Sequence, residues 1–325
     1  MTSLYPLRFG PVLKRYLWGG RRLESVLGKK LPPGEDFAES WEIADHPAGQ
    51  SVVAAGALKG ATLQELVAHH GTELLGKHAP QPRFPLLFKL LDAQKVLSVQ
   101  VHPTDAAAAK LTPPDLGKTE AWVVLHAEPG SRVYAGLQPG CDRATLERAL
   151  ASGNCESCLH SFEPRAGDCL FIPAGVVHAL GAGLVIAEIQ QASDTTFRLF
   201  DWNRVGPDGK PRPLHIEQSL NATDFQIGPV NPQQPRAMKF AGGEREELVA
   251  CDKFVLERWR LTSTQEFGGD GRCFLICVID GQLTLTGDPL QEPLRRGQTA
   301  LLPASTKTVL APQSAATLLV SWLPS

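Results

Sequence analysis

Three polar residues at alternate positions, Ser98, Gln100 and His102, interleave with Val99 and Val101 just before Pro103. A strand turns successive side chains to opposite faces, so the polar three share one face and the valines the other. Further on, Lys118, Glu120 and Trp122 repeat that spacing in a second apolar run, and Ile172-Pro-Ala-Gly-Val-Val-His178 delivers another imidazole. Two imidazoles and a carboxylate, with an amide oxygen beside them, suit a divalent cation held inside a β-barrel with one position left open. Gln100 is the weakest of the four, because an amide oxygen binds a divalent ion poorly compared with imidazole. It can serve instead as a hydrogen-bond partner for a ligated water. The case rests on the combination: both histidines end short apolar strands near a proline, and a buried Glu120 needs a counter-charge.

The elements that must carry these groups are mostly short strands. Glu39, Trp41 and Ile43 alternate with Ser40, Glu42 and Ala44, which suits a strand. Apolar positions at Leu63, Leu66, Val67, Leu74 and Leu75, with Thr62 as N-cap, predict a helix from Thr62 to about Leu75. The run Phe84–Ala93 is apolar up to Asp92 except for Lys89, which either meets a buried anion or carboxylate or reaches solvent at the strand end. A short Ala-rich helix follows Pro103-Thr-Asp as far as Lys110, and another covers Arg143 to Leu150. A turn at Arg165-Ala-Gly-Asp leads into the short buried strand that delivers His178, and Leu184–Gln191 is the next strand, with Glu188 and Gln190 on one face. Residues 204–215, rich in Pro, Gly and charge, form a surface loop.

With 325 residues, 43% hydrophobic and 20% charged, the chain reads as a soluble globular protein long enough for two domains. A formal charge of -2 argues neither for nor against a polyanionic partner, and no Lys/Arg-rich tract suggests nucleic-acid binding. No run of about 18 apolar residues suggests a membrane span, and the amino terminus lacks the pattern of a signal peptide. Seven cysteines, an odd number, fit reduced thiols and a cytoplasmic setting. Cys155-Glu-Ser-Cys158 has no second such pair to complete a thiolate site, so these are read as loop thiols. Apart from His102 and His178, the histidines are read as structural or solvated: His46, His126, His160 and His215 at turns or strand ends, His69, His70 and His78 on or near the first helix.

A degenerate repeat organises the rest. Gly167-Asp-Cys-Leu-Phe-Ile-Pro173-Ala aligns with Gly297-Gln-Thr-Ala-Leu-Leu-Pro303-Ala, and Cys273–Gly287 reads as a hairpin around Asp280-Gly281. Five residues past Pro173 stands His178; five past Pro303 stands Thr308, and residues 231–325 contain no histidine. The reading is a mainly β chain of two jelly-roll barrels with a few short helices. Residues 1–230 form the metal-binding catalytic domain, and residues 231–325 a second, degenerate domain without ligands. The linker falls near Gly228–Pro235.

These residues resemble the type I mannose-6-phosphate isomerases, zinc-dependent enzymes of the cupin superfamily. The likeness is carried by Ala38-Glu-Ser-Trp-Glu-Ile, Phe88-Lys-Leu-Leu, Leu97-Ser-Val-Gln-Val-His-Pro, Gly117-Lys-Thr-Glu-Ala-Trp, Pro173-Ala-Gly-Val-Val-His-Ala and Glu188-Ile-Gln-Gln-Ala-Ser-Asp-Thr-Thr-Phe-Arg198. The resemblance implies two cupin-like barrels, one zinc ion per chain on Gln100, His102, Glu120 and His178, and Arg198 as the catalytic arginine. It places Ser98, Lys89, Lys118 and Glu188 at further active-site positions. The short interval from Glu120 to His178 matches the compact bacterial form, without the inserted helical domain of longer members, and Leu180 stands where some members carry a tyrosine.

The implied reaction interconverts mannose 6-phosphate and fructose 6-phosphate, moving a proton between C1 and C2 through an enediol. Glu188, a metal-bound hydroxide or a nearby lysine can serve as base; Arg198 steadies the enediolate or holds phosphate; Lys118 and Lys89 supply further positive charge. The expected partner is a small sugar phosphate, with no nucleic acid or membrane, and the expected state a monomer or weak homo-oligomer. Two rival readings share the same ligand pattern: an iron-dependent cupin oxygenase, and a non-catalytic sugar-phosphate binder.

Overall fold

The computed structural model describes residues 4–205 and 209–324. Residues 206–208 of the expected 204–215 loop, and the first three of the amino-terminal stretch, lie outside the described residues. The chain is mainly β, with few helices. It divides into two compact units, one of Met1–Arg15, Arg21–Leu90 and Gln234–Ser325, the other of Tyr16–Gly20 and Leu91–Gln233.

The second of these units contains a five-stranded antiparallel sheet in the order Leu159–Phe162, Val133–Leu137, His178–Leu180, Val99–Val101, Phe197–Phe200. Alternation along these strands does what the valine pattern predicts. Val99, Val101, Val177, Ala179 and Leu199 enter one buried cluster, which the helices Arg143–Ala151 and Ile216–Ala222 cover with Leu146 and Leu220. Gln100, His178 and Arg198 therefore occupy the opposite face. Three more strands of this unit, Cys169–Ile172, Glu120–Ala127 and Leu184–Gln191, pair antiparallel with Glu120–Ala127 in the middle.

The other unit packs a six-stranded sheet, built around Val255–Leu261, Ala316–Trp322 and Phe274–Asp280, against a four-stranded one that includes Lys307–Pro312 and Gln282–Leu285. Its interior is hydrocarbon and aromatic: Trp259, Phe267, Phe274, Leu283, Leu318 and Val320 belong to one cluster. The expected helix is present as Leu63–Leu75, with Thr62 at the N-cap. Thr62 Oγ1 accepts from Glu65 N at 3.2 Å and the Glu65 carboxylate accepts from Thr62 N at 2.8 Å, a reciprocal capping box. Glu39–Ile43 is a strand buried on both faces, beside Leu86–Ala93 and Val12–Lys14 in sheet order. The Ala-rich helix is shorter than expected, Asp105–Ala108.

Two expectations need correction. Asp280-Gly281 closes no hairpin: Phe274–Asp280 lies in the six-stranded sheet, whereas Gln282–Leu285 lies in the four-stranded one. A single residue between the strands leaves no room for a two-residue hairpin loop, and Gly281, at φ 70°, turns the chain from sheet to sheet. Similarly, Cys169–Ile172 does not itself deliver His178. Pro173–Val177 carries the chain over to the five-stranded sheet, where His178 opens a strand of its own.

The repeat is visible as hydrogen bonds. Gly167 N donates to Val124 O at 2.8 Å and Val124 N to Asp168 O at 2.9 Å; Gly297 N donates to Val278 O at 2.8 Å and Val278 N to Gln298 O at 3.0 Å. Both turns add a side-chain acceptor, Asp168 for Arg165 N and Gln298 for Arg295 N. With Val124 matched to Val278, Glu120 corresponds to Phe274 and Trp122 to Ile276. Glu188, the cross-strand neighbour of Trp122, then corresponds to Val320.

Candidate metal centre

Register assembles the site. Across the five-stranded sheet Arg198 lies opposite Gln100, and Gln100 opposite His178, so the three form one row on the face away from the helices. On the other strands Glu120 lies opposite Gln190 and Trp122 opposite Glu188, placing all four on a common face. His102 enters from just beyond Val99–Val101.

His102, Glu120 and His178 bring one ligand atom each to within 4.8 Å of one another, and all three are buried. The Glu120 carboxylate lies 3.6 Å from His102 Nε2 and 3.4 Å from His178 Nε2. Both imidazoles are oriented from behind. His102 Nδ1 lies 2.9 Å from Thr195 O and His178 Nδ1 2.9 Å from Val176 O. Carbonyl oxygens only accept, so Nδ1 carries the proton in each ring and Nε2 presents its lone pair inward. Gln100 Nε2 is 3.2 Å from His178 Nε2, so the amide reaches the same point.

Electrostatics favour a ligand-ready state. Burial, aided by the nearby Lys118 charge, pushes the His178 pKa down to about 4, against the weaker upward pull of its bond to Val176 O and of Glu188. The imidazole is thus neutral at physiological pH, as a metal ligand must be. The Lys118 ammonium is ion-paired with Glu120, lies 3.4 Å from Glu188 and lies 3.1 Å from His102 Nε2. It touches Glu120, Glu188 and His102 at once. A group of donors that holds one cation so closely fits a divalent ion on chemical grounds, with His102, Glu120, His178 and the Gln100 amide as its holders.

Of the residues singled out from sequence, Gln100, His102, Lys118, Glu120, His178 and Glu188 form one connected cluster. Arg198 stands on the same row, its Nη1 donating to Pro213 O at 2.8 Å. Burial, then the neighbouring Arg212 charge, lowers its pKa. Ser98 is buried just ahead of the Gln100 strand. Lys89 belongs to the other unit, buried and 3.1 Å from Glu39, which answers whether that lysine meets a carboxylate or solvent. Cys155 and Cys158 sit in a 3-10 turn as buried free thiols.

The sequence pattern places Trp122 and Gln190 on these strands without marking either as part of the site. The Trp122 ring meets His178 edge-on at 5.3 Å with its Nε1 buried and without an acceptor, and Gln190 Oε1 is likewise buried without a donor. Both were findable from strand alternation, two residues from Glu120 and Glu188 respectively.

The model of the type I phosphomannose isomerase catalytic domain matches residues 7–129, and that of the mannose-6-phosphate isomerase cupin domain matches residues 244–321. A mannose-6-phosphate isomerase of Streptococcus mutans is 36% identical over 303 residues, covering 93% of this chain and 94% of the relative. The mannose-6-phosphate isomerase ManA of Bacillus subtilis is 34% identical, covering 92% and 93%. The crystal structure of the Bacillus subtilis mannose 6-phosphate isomerase superposes with a TM-score of 0.89 at 31% identity, over 98% of this chain and 99% of that one. A putative mannosephosphate isomerase from Archaeoglobus fulgidus shares the fold, with a TM-score of 0.77 at 24% identity.

Proposed function

The chain belongs to the type I phosphomannose isomerase family, and from that premise we propose that it interconverts mannose 6-phosphate and fructose 6-phosphate. The supporting observation is the buried donor set of His102, Glu120 and His178, with both imidazole tautomers fixed by backbone carbonyls. One zinc ion per chain, held by these residues and Gln100, would act as a Lewis acid toward the sugar's C1 and C2 oxygens.

The chain's own groups handle the proton and the charge. Glu188, on the same face as Glu120 and within reach of Lys118, is assigned the role of base between C1 and C2. Lys118, paired with both carboxylates, supplies positive charge where negative charge develops. Arg198, opposite Gln100, offers a planar fork to the oxygens of the enediolate or the phosphate. Ser98 and Lys89 are assigned to substrate binding. The chemistry is assigned to residues 1–230 and none of it to 231–325, in a cytoplasmic protein that acts as a monomer or weak homo-oligomer.

A coupled assay for fructose 6-phosphate formed from mannose 6-phosphate tests the reading, run before and after a chelator. Turnover that is lost with the metal and restored by zinc is expected. Full turnover by metal-stripped protein would remove the Lewis-acid role, and tight binding of the hexose phosphate without interconversion would replace the isomerase with a binding protein.

A further inference from the structure

Arg198 lies on Phe197–Phe200, the edge strand of its sheet. One side of that strand is paired with Val99–Val101; the other has no strand beside it among the described residues. An edge residue normally leaves its backbone groups to solvent and is free to shift. Here a single residue substitutes for the missing strand. Arg198 N donates to His215 Nδ1 at 3.1 Å, and His215 N donates back to Arg198 O at 2.8 Å. Two residues earlier, Pro213 O accepts from the Arg198 guanidinium at 2.8 Å. The segment thus holds Arg198 at its amide, its carbonyl and its guanidinium together.

The clamp is itself anchored at both ends. Arg212 makes two bonds to the Asp201 carboxylate, at 2.8 and 2.6 Å. His215 caps the helix Ile216–Ala222, with its carbonyl accepting from Ser219 N at 2.8 Å and Ser219 Oγ at 2.7 Å. Leu220 of that helix is buried in the cluster that also contains Leu199. The His215 ring stands edge-on to Phe197, with centroids 6.4 Å apart.

We infer that His215 is a positioning residue for the reaction: its neutral Nδ1 lone pair fixes the backbone of Arg198 and so aims the guanidinium along the Gln100–His178 row. The inference rests on the assignment of Arg198 to the reacting sugar. It requires one tautomer, with the proton on Nε2, because a backbone N–H can only donate to Nδ1. It also sets an unusual order among substitutions. Asparagine places its amide oxygen where Nδ1 stands, whereas glutamine, closer to histidine in length, reaches the position of Nε2.

The test is steady-state kinetics of His215→Asn, His215→Gln and His215→Phe on zinc-loaded full-length protein, with Arg198→Ala alongside. Asn is expected to keep kcat within about threefold, whereas Gln and Phe lose roughly ten- to hundredfold, with KM and zinc stoichiometry little changed. A helix-capping role alone would predict the same melting loss for all three and no split between Asn and Gln. Full kcat in Gln and Phe, beside an inactive Arg198→Ala, overturns the positioning role while leaving the assignment of Arg198 intact. Full kcat in Arg198→Ala overturns that assignment, and this inference with it. Should Phe fail to fold, the Asn–Gln contrast decides.

Discussion

Lys118 is ion-paired with Glu120, two residues along the chain, in a site where neither is more than 3% exposed. The same ammonium approaches Glu188 and His102. Each charge there is tolerable only because the others are present.

Lys118→Met therefore has two expected effects. Metal-free protein loses roughly 3–5 kcal/mol of stability, because the ammonium that two buried carboxylates share is removed. In the zinc-loaded enzyme kcat/KM falls by about 100-fold, from the loss of one preorganised charge. Urea titration and the coupled assay read the two separately. A variant as stable and active as the parent would show that the ammonium is a bystander.

The depressed His178 pKa makes metal-free protein acid-sensitive. Between its ordinary 6.5 and about 4, the unfolded chain binds a proton that the folded chain refuses. Stability is thus steady above pH 6.5 and declines as pH falls toward 4, by up to roughly 3 kcal/mol from this group. His178→Gln should flatten that slope when unfolding is followed from pH 7 to 4.5 without metal. An unchanged slope would mean that the ring is already protonated in the fold.

Lys89 and Glu39 form a buried pair, so Lys89→Met strands a carboxylate and should cost roughly 3–5 kcal/mol. If Lys89 also binds substrate, KM rises by more than the instability explains. The comparison is made at a temperature where the variant is fully folded by circular dichroism.

Thr62→Ala removes one half of the capping box and should lower stability by about 1 kcal/mol with activity unchanged. A differential scanning calorimetry trace with no downward shift in Tm would show that tertiary packing of Leu63, Leu66 and Leu74 alone holds the helix end.

Much of the site could be read from spacing because strand alternation fixes sides: Gln100 and Glu120 each sit where period two puts them, and Thr62 with Glu65 announces a helix start. What stayed hidden depends on pairing between distant segments. That His178 opens a strand in a different sheet from Cys169–Ile172 is decided by a sheet change at Pro173–Val177, which leaves no periodic trace. Asp280-Gly281 misled because the dipeptide specifies a turn, not which sheet receives the chain. His215 reads as an ordinary turn histidine because its bond to a backbone amide 17 residues away leaves no local signal.

The matched turns at Gly167 and Gly297 close the same hydrogen-bond circuit, once beside Glu120 and once beside Phe274. The backbone is indifferent to whether a charged pocket or a greasy plug fills the space behind it. Folding knowledge therefore resides in the loops and ladders, and reactivity is an optional inlay. It follows that replacing His102, Lys118, Glu120, His178 and Glu188 together by apolar residues of similar bulk should leave an inert shell that still assembles, a blank against which every contribution of the inlay can be weighed.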